Sequence, residues 1–169
     1  HNSLQEFIKN NYSNVKLVRE NKPLGTFGAA VNASKMCISR NILILNGDTI
    51  FDISFKDVFK EYLKKKEEPL CIVKKIIKNE RYGGYKIISN RLVISSQNPS
   101  HISLGAIFCD KKMLGNFFQD NQVSKDSIYM MDEDFISKTF TRPYILSENT
   151  EFIDIGTPSS LKLSQELLP

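Results

Sequence analysis

Ile42-Leu43-Ile44-Leu45 sets four apolar residues in a row, between a stretch of small residues and a fresh helix start at Ser54. A strand so short and so uniformly apolar has to be covered on both faces, as buried strands in α/β proteins are. Its neighbours supply the cover. Ala29, Ala30, Ala33 and Met36 predict a packed helix from Gly28 to about Ile38, and Ser54 with Asp57 opens another that carries Phe55, Val58, Phe59 and Tyr62. Leu70–Ile77 is again strand-like. Upstream, Ser3 and Glu6 have capping-box spacing with Leu4, Phe7 and Ile8 on one face, and Val15–Arg19 alternates like a half-buried strand. Alternating strands and helices of this kind predict a doubly wound α/β sheet.

The second half predicts strands at Tyr85–Ile88, Leu92–Ser95, Ile102–Cys109 and Glu151–Ile155. Helices are expected around Lys112–Phe118 and Asp134–Phe140, with a last one from about Ser159. Short polar links such as Ser89-Asn90 imply antiparallel pairing there, so the sheet is expected to be mixed. No repeat or linker interrupts the chain, and its 169 residues suit one domain, 1–169.

Charge and cysteine usage narrow the partners. A formal charge of +4 is compatible with an anionic ligand and is not a basic patch of the kind that binds nucleic acid. Cys37, Cys71 and Cys109 are odd in number and widely spaced, which argues against a disulfide framework or zinc site and for a reducing, cytoplasmic setting. No apolar run reaches membrane-spanning length, so no membrane partner is expected.

Two aspartates close apolar strands. Asn46-Gly47-Asp48 follows Ile42–Leu45, at the strand end where open α/β sheets bind ligands. Asn-Gly is also the strongest hairpin-turn pair, so an ordinary turn stands beside the functional reading. Phe152-Ile153-Asp154-Ile155-Gly156-Thr157-Pro158 repeats the arrangement, although an aspartate between two core-facing isoleucines could simply face solvent. Converging, the two would suit magnesium, which takes one or two carboxylates and fills its shell with water and phosphate oxygens. A third segment, Pro23-Leu24-Gly25-Thr26-Phe27-Gly28, has glycines that let backbone approach a ligand, but lacks the lysine and spacing of a Walker loop. His101, the one internal histidine, reads as a loop or surface residue, and Lys74 and Lys75 as a solvated face.

In order along the chain, Pro-Leu-Gly-Thr-x-Gly-Ala (23–29), Asn-Gly-Asp-Thr (46–49), Arg-Tyr-Gly (81–83) and Asp-Ile-Gly-Thr-Pro (154–158) resemble the motifs of the sugar-1-phosphate nucleotidylyltransferases. The Asp48 and Asp154 segments look most like the branch containing D-glycero-D-manno-heptose 1-phosphate guanylyltransferases. The resemblance implies a Rossmann-like three-layer α/β/α sandwich with a mixed, mainly parallel sheet. It also implies transfer of a nucleotide from an NTP, here GTP, to a sugar 1-phosphate with loss of pyrophosphate, for bacterial surface polysaccharides. Carried over, Asp48 and Asp154 are the catalytic ligands of magnesium, and Leu24, Gly25, Thr26 and Gly28 bind the nucleotide. Gly83, Asp132 and Thr157 bind the sugar phosphate. A homodimer is the default assembly.

This sequence departs from the family pattern in several places. The family's opening strand and Gly-rich triphosphate loop have no counterpart here, so an N-terminal strand-loop-helix is expected to precede His1. Phe27 replaces a small residue and is expected to reshape the base pocket. Gln97-Asn98 stands where a Glu-Lys pair is expected, Ser103 replaces an asparagine, and Asp132 replaces a glutamate. The alternatives are a mannose-1-phosphate guanylyltransferase and, in another class, an inactive homologue that binds nucleotide-sugars and regulates.

Overall fold

The computed structural model describes residues 2–76, 84–120 and 127–167. The apolar run forms β1 (Asn41–Leu45), preceded by helices α1 (Asn2–Asn11) and α2 (Gly25–Ser34). After β1 come a three-residue strand β2 (Thr49–Phe51), helix α3 (Phe55–Tyr62) and β3 (Leu70–Lys75). The Ser54 side chain caps α3 by accepting from the Asp57 N–H. Next stand β4 (Gly84–Ile88), β5 (Arg91–Ser95), β6 (His101–Asp110) and α4 (Lys111–Asp120). A π-helical turn (Met131–Ile136), β7 (Arg142–Ile145), β8 (Phe152–Asp154) and α5 (Pro158–Leu167) complete the order.

The ten-residue β6 is the centre of the main sheet. β3 runs antiparallel along one side of it, while β1 and β4 pair antiparallel with it on the other. β5 extends β4 through a hairpin whose turn residues, Ser89 and Asn90, both take positive φ, as a two-residue hairpin requires. β7 lies parallel to β3. The sheet is thus mixed, as expected, but its balance differs from a mainly parallel one. Among the described strands, β3–β7 is the parallel pair and the other pairings are antiparallel. β1 and β3 do point the same way, as strands joined through a helix should, but β6 lies reversed between them.

Alternation along the strands distributes the core. Ile42, Ile44, Cys71, Val73, Ile107 and Cys109 face α2, α4 and the π-helical turn, whereas Leu43, Leu70, Ile72, Ala106 and Phe108 face α3. Helices on both faces make three layers. Full burial of side chains such as Tyr62, Leu70 and Leu114 stabilises the fold by about 1.5–3 kcal/mol each. Val15–Arg19 forms no strand: Val15, Leu17 and Val18 are exposed, and no described strand pairs with them. The expected helix at Asp134–Phe140 is instead the π-helical turn, which ends at Ile136. No described helix is long and apolar enough to cross a membrane.

Candidate active site

β1 ends against a bulge in β6. The register of β3 on β6 slips between Cys71 and Val73, and Gly105 in that slip has φ +67°. A side chain at 105 would collide with Asn46, whose Cγ lies 2.3 Å from the Cβ position. The Asn46 N–H donates to the Gly105 carbonyl at 2.8 Å, so the first residue of the motif is pinned over the bulge. The chain does not return along β1. Neither Asn46 nor Gly47 takes a positive φ, and β2 pairs with β8 rather than with β1. The hairpin reading of Asn46-Gly47 is therefore excluded, and Asp48 stands exposed beyond the strand end.

The β2–β8 ribbon brings the second aspartate to the first. Thr49 pairs with Asp154, and the Asp48 carbonyl accepts the Ile155 N–H at 2.8 Å. At the far end of the ribbon, Phe51 opposite Phe152 packs into the core on the α3 side and anchors it. The Gly156 N–H donates to Asp154 Oδ1 at 2.7 Å. A Cβ on Gly156 would lie 2.9 Å from Asp154 Oδ1 and 3.3 Å from Asp48 Oδ2, so both carboxylates border one small space. No group of three or more metal-ligating side chains forms among the described residues. Two carboxylates with open positions suit magnesium shared with phosphate oxygens, and would be a poor cage for a metal bound by protein alone.

A cleft of about 790 Å³ opens beside Asp48. Thr26, Ala29, Ala30 and Ala33 of α2 form one wall, β1 runs beneath, and Met130 to Asp132 contribute another. Backbone hydrogen bonds join the two walls. Tyr129 N–H donates to the Leu24 carbonyl at 2.9 Å, and Phe27 and Gly28 N–H groups donate to the Tyr129 carbonyl at 3.0 and 3.5 Å. The Met131 N–H donates to Thr26 Oγ1 at 2.8 Å. Gly25 makes this closeness possible. Its φ is +77°, and a Cβ there would sit 2.3 Å from the Tyr129 carbonyl oxygen.

Of the expected site residues, the cleft thus gathers Asp48, Thr26 and Asp132, while Asp154 reaches Asp48 through the ribbon. Leu24, Gly25 and Gly28 do not line the cleft; they hold Thr26 in place from behind. Thr157 caps α5, its Oγ1 accepting the Ser160 N–H at 3.2 Å. Gly83, with Arg81 and Tyr82, lies outside the described residues. Phe27 corrects an expectation: its ring is fully buried and stacks on Phe135 at 5.1 Å, so it belongs to the core and not to a base pocket. The face that reaches the cleft is instead that of Thr26, with Ala29, Ala30 and Ala33 following it at helical spacing.

Ser103 lines the cleft, accepts the Gly105 N–H at 3.1 Å and lies 3.3 Å from Cys71 Sγ, whose thiol burial pushes up to about 12. Gln97 and Asn98 are exposed and stand away from it. Lys74 donates to the Thr150 carbonyl and Lys75 pairs with Glu148, so neither lysine serves the cleft. His101 Nδ1 lies 2.8 Å from Ser100 Oγ, and burial followed by the nearby Lys75 lowers its pKa. One residue escaped sequence reasoning altogether. Tyr85, a core position of β4, donates its hydroxyl to Asp132 Oδ1. Burial, then the Asp132 charge and the hydrogen bond to it, raises its pKa and keeps it a donor.

The family model described as "Nucleotidyl transferase" matches residues 1–167. The D-glycero-alpha-D-manno-heptose 1-phosphate guanylyltransferase of Aneurinibacillus thermoaerophilus is 25% identical over 175 residues, covering 99% of this chain and 74% of that protein. The enzyme of the same name from Campylobacter jejuni is 29% identical over 163 residues, covering 92% of this chain and 69% of that protein. Among solved structures, HddC from Yersinia pseudotuberculosis complexed with GMP-PN superposes with a TM-score of 0.78 at 21% identity, over 99% of this chain and 74% of that one. The inositol-1-phosphate CTP transferase of T. maritima shares the fold at a TM-score of 0.73 and 16% identity, over 96% and 70%. A match over residues 1–167, on a fold that sets Asp48 on the cleft and Asp154 close beside it, makes this chain a member of the nucleotidyl transferase family.

Proposed function

We propose that the chain transfers GMP from GTP to D-glycero-D-manno-heptose 1-phosphate, releasing pyrophosphate, in the cytoplasm and for bacterial surface polysaccharides. The observation that carries this reading is the meeting of Asp48 and Asp154 across Gly156 at the edge of the cleft. The names of the Aneurinibacillus and Campylobacter relatives support the choice of heptose and guanine. In the reaction, an oxygen of the sugar phosphate attacks the α-phosphorus and pyrophosphate leaves in line. Asp48 and Asp154 are the residues that would hold magnesium, which supplies charge compensation to the phosphate oxygens when bound. The chain's own part is positioning. Thr26 and the alanine wall of α2 border the space for a flat base, with Gly25 setting their approach. Asp132, on the facing wall, offers a carboxylate to sugar hydroxyls.

The test is pyrophosphate release by the complete gene product, with each NTP offered against heptose 1-phosphate and mannose 1-phosphate, with and without magnesium. The expected result is magnesium-dependent release with GTP and the heptose substrate, falling at least about a hundredfold in Asp48→Asn while the fold is kept. Release with mannose 1-phosphate alone would reassign the sugar. Nucleotide-sugar binding without release under any pair would make the protein a binding homologue and overturn the catalytic reading.

A further inference from the structure

The carboxylate of Asp132 is exposed on the cleft wall, yet it is held from inside the core. Tyr85 comes from β4 and is 3% exposed, with its ring in the cluster that includes Cys71, Leu92 and Phe135. A buried phenol needs a partner, and this one donates to Asp132 Oδ1 rather than to backbone. The backbone beside Asp132 is fixed independently. Met131 N–H binds Thr26 Oγ1, the Ser137 N–H donates to the Asp132 carbonyl at 3.0 Å, and Asp134 accepts the Met130 N–H at 2.8 Å. Asp132 Oδ2 has no hydrogen-bond partner among the described residues. Main chain and one carboxylate oxygen are therefore set before any ligand arrives, and the second oxygen remains to accept from a hydroxyl. We propose that Tyr85 is a positioning residue for sugar selection, locking Asp132 so that its remaining oxygen accepts from the hydroxyls of the sugar 1-phosphate.

This inference rests on the reading of the cleft as a sugar-phosphate site. It differs from a structural role for Tyr85 because the hydroxyl, not the ring, is what matters. Tyr85→Phe keeps the ring in the core and removes only the donor. Made in the complete gene product, it should raise the KM for the sugar 1-phosphate about tenfold, with the KM for the NTP changed less than about twofold. In an Asp132→Ala background the same change should add less than about twofold, because the group it positions is gone. An equal rise for both substrates, or the same loss in both backgrounds, overturns the proposal. If Tyr85→Phe fails to fold, the unfolding midpoint of Asp132→Ala decides. It should fall by about 2–4 °C through the orphaned phenol, and an unchanged midpoint shows that the phenol was not engaged. A wild type without turnover or binding for any sugar 1-phosphate overturns the cleft reading and this inference with it. An active wild type with additive variants overturns this inference alone.

Discussion

Gly156→Ala separates the proposed metal site from the fold. Gly156 does not need a positive φ, so alanine suits its backbone. The added methyl would lie 2.9 Å from Asp154 Oδ1, about 0.5 Å inside ordinary contact, and 3.3 Å from Asp48 Oδ2. Both atoms end short side chains, so the strain is relieved by turning the carboxylates away. That turn gives up the 2.7 Å hydrogen bond from the Gly156 N–H, a charge-assisted contact of about 1.5–3 kcal/mol that water partly replaces at this exposed position. Against it stands a gain of about 0.4–1 kcal/mol from a stiffer unfolded chain. The net cost in stability is about 1 kcal/mol, or 2–4 °C in Tm. Displacing one ligand and removing its supporting donor should weaken magnesium binding about 10–100-fold. The assay is pyrophosphate release titrated with magnesium, beside a thermal melt. The half-saturating magnesium concentration should rise at least about tenfold while Tm moves a few degrees. An unchanged magnesium curve from the folded variant would refute the placement of the metal between Asp48 and Asp154.

Phe27→Ala should cost about 3–5 kcal/mol in chemical denaturation by opening a cavity beside Phe135, with nucleotide preference unchanged in whatever protein remains folded. A switch in base preference at native stability would return Phe27 to the nucleotide site. Asp110 is desolvated, but the Lys112 N–H and Arg40 outweigh burial and hold its pKa below 3.8. Its contribution to stability is therefore complete above pH 3.8 and fades as pH falls through the lower native value, so the stability gap between wild type and Asp110→Asn should shrink in acid. A gap independent of pH down to pH 2 would contradict that pairing. Burial raises the thiols of Cys71 and Cys109 to about 12, whereas Cys37 is exposed beside the cleft. A thiol reagent at neutral pH should modify Cys37 alone until the protein is unfolded, and equal reaction at all three would contradict this core packing.

Local chemistry carried much of the architecture into view. Ser54 capping α3, the apolar Ile42–Leu45 and Leu70–Val73, and the Ser89-Asn90 turn are each decided by neighbours in sequence. What stayed hidden depends on partners far along the chain. β2 is three residues long, and its partner β8 lies far along the chain, so Asp48 and Asp154 could be expected to converge, but not the ribbon that brings them together. The alternation at Val15–Arg19 promised a strand that finds no partner among the described residues, because period-two patterning marks a possible face and not a ladder. β7 was hidden by Pro143, which sits opposite Cys71 at the sheet's margin. Phe27 misled because a motif position was read without its helical phase: its side chain points to Phe135, while Thr26 and Ala30 point to the cleft. In sequence Tyr85 is only the start of a strand; its ring is core, and its hydroxyl reaches Asp132 on the cleft wall.

The two-stranded ribbon of β2 and β8 has a kinetic consequence. Joining Thr49 to Asp154 closes a loop of roughly a hundred residues, so the entropy of that closure is met only after most of the sheet between them has formed. The aspartate pair is thus expected among the latest parts of the chain to assemble and, held by three residue pairs and two phenylalanines, among the first to open. A chain emerging from the ribosome has Asp48 long before Asp154, so the small space that the two carboxylates border exists only once β8 has docked on β2.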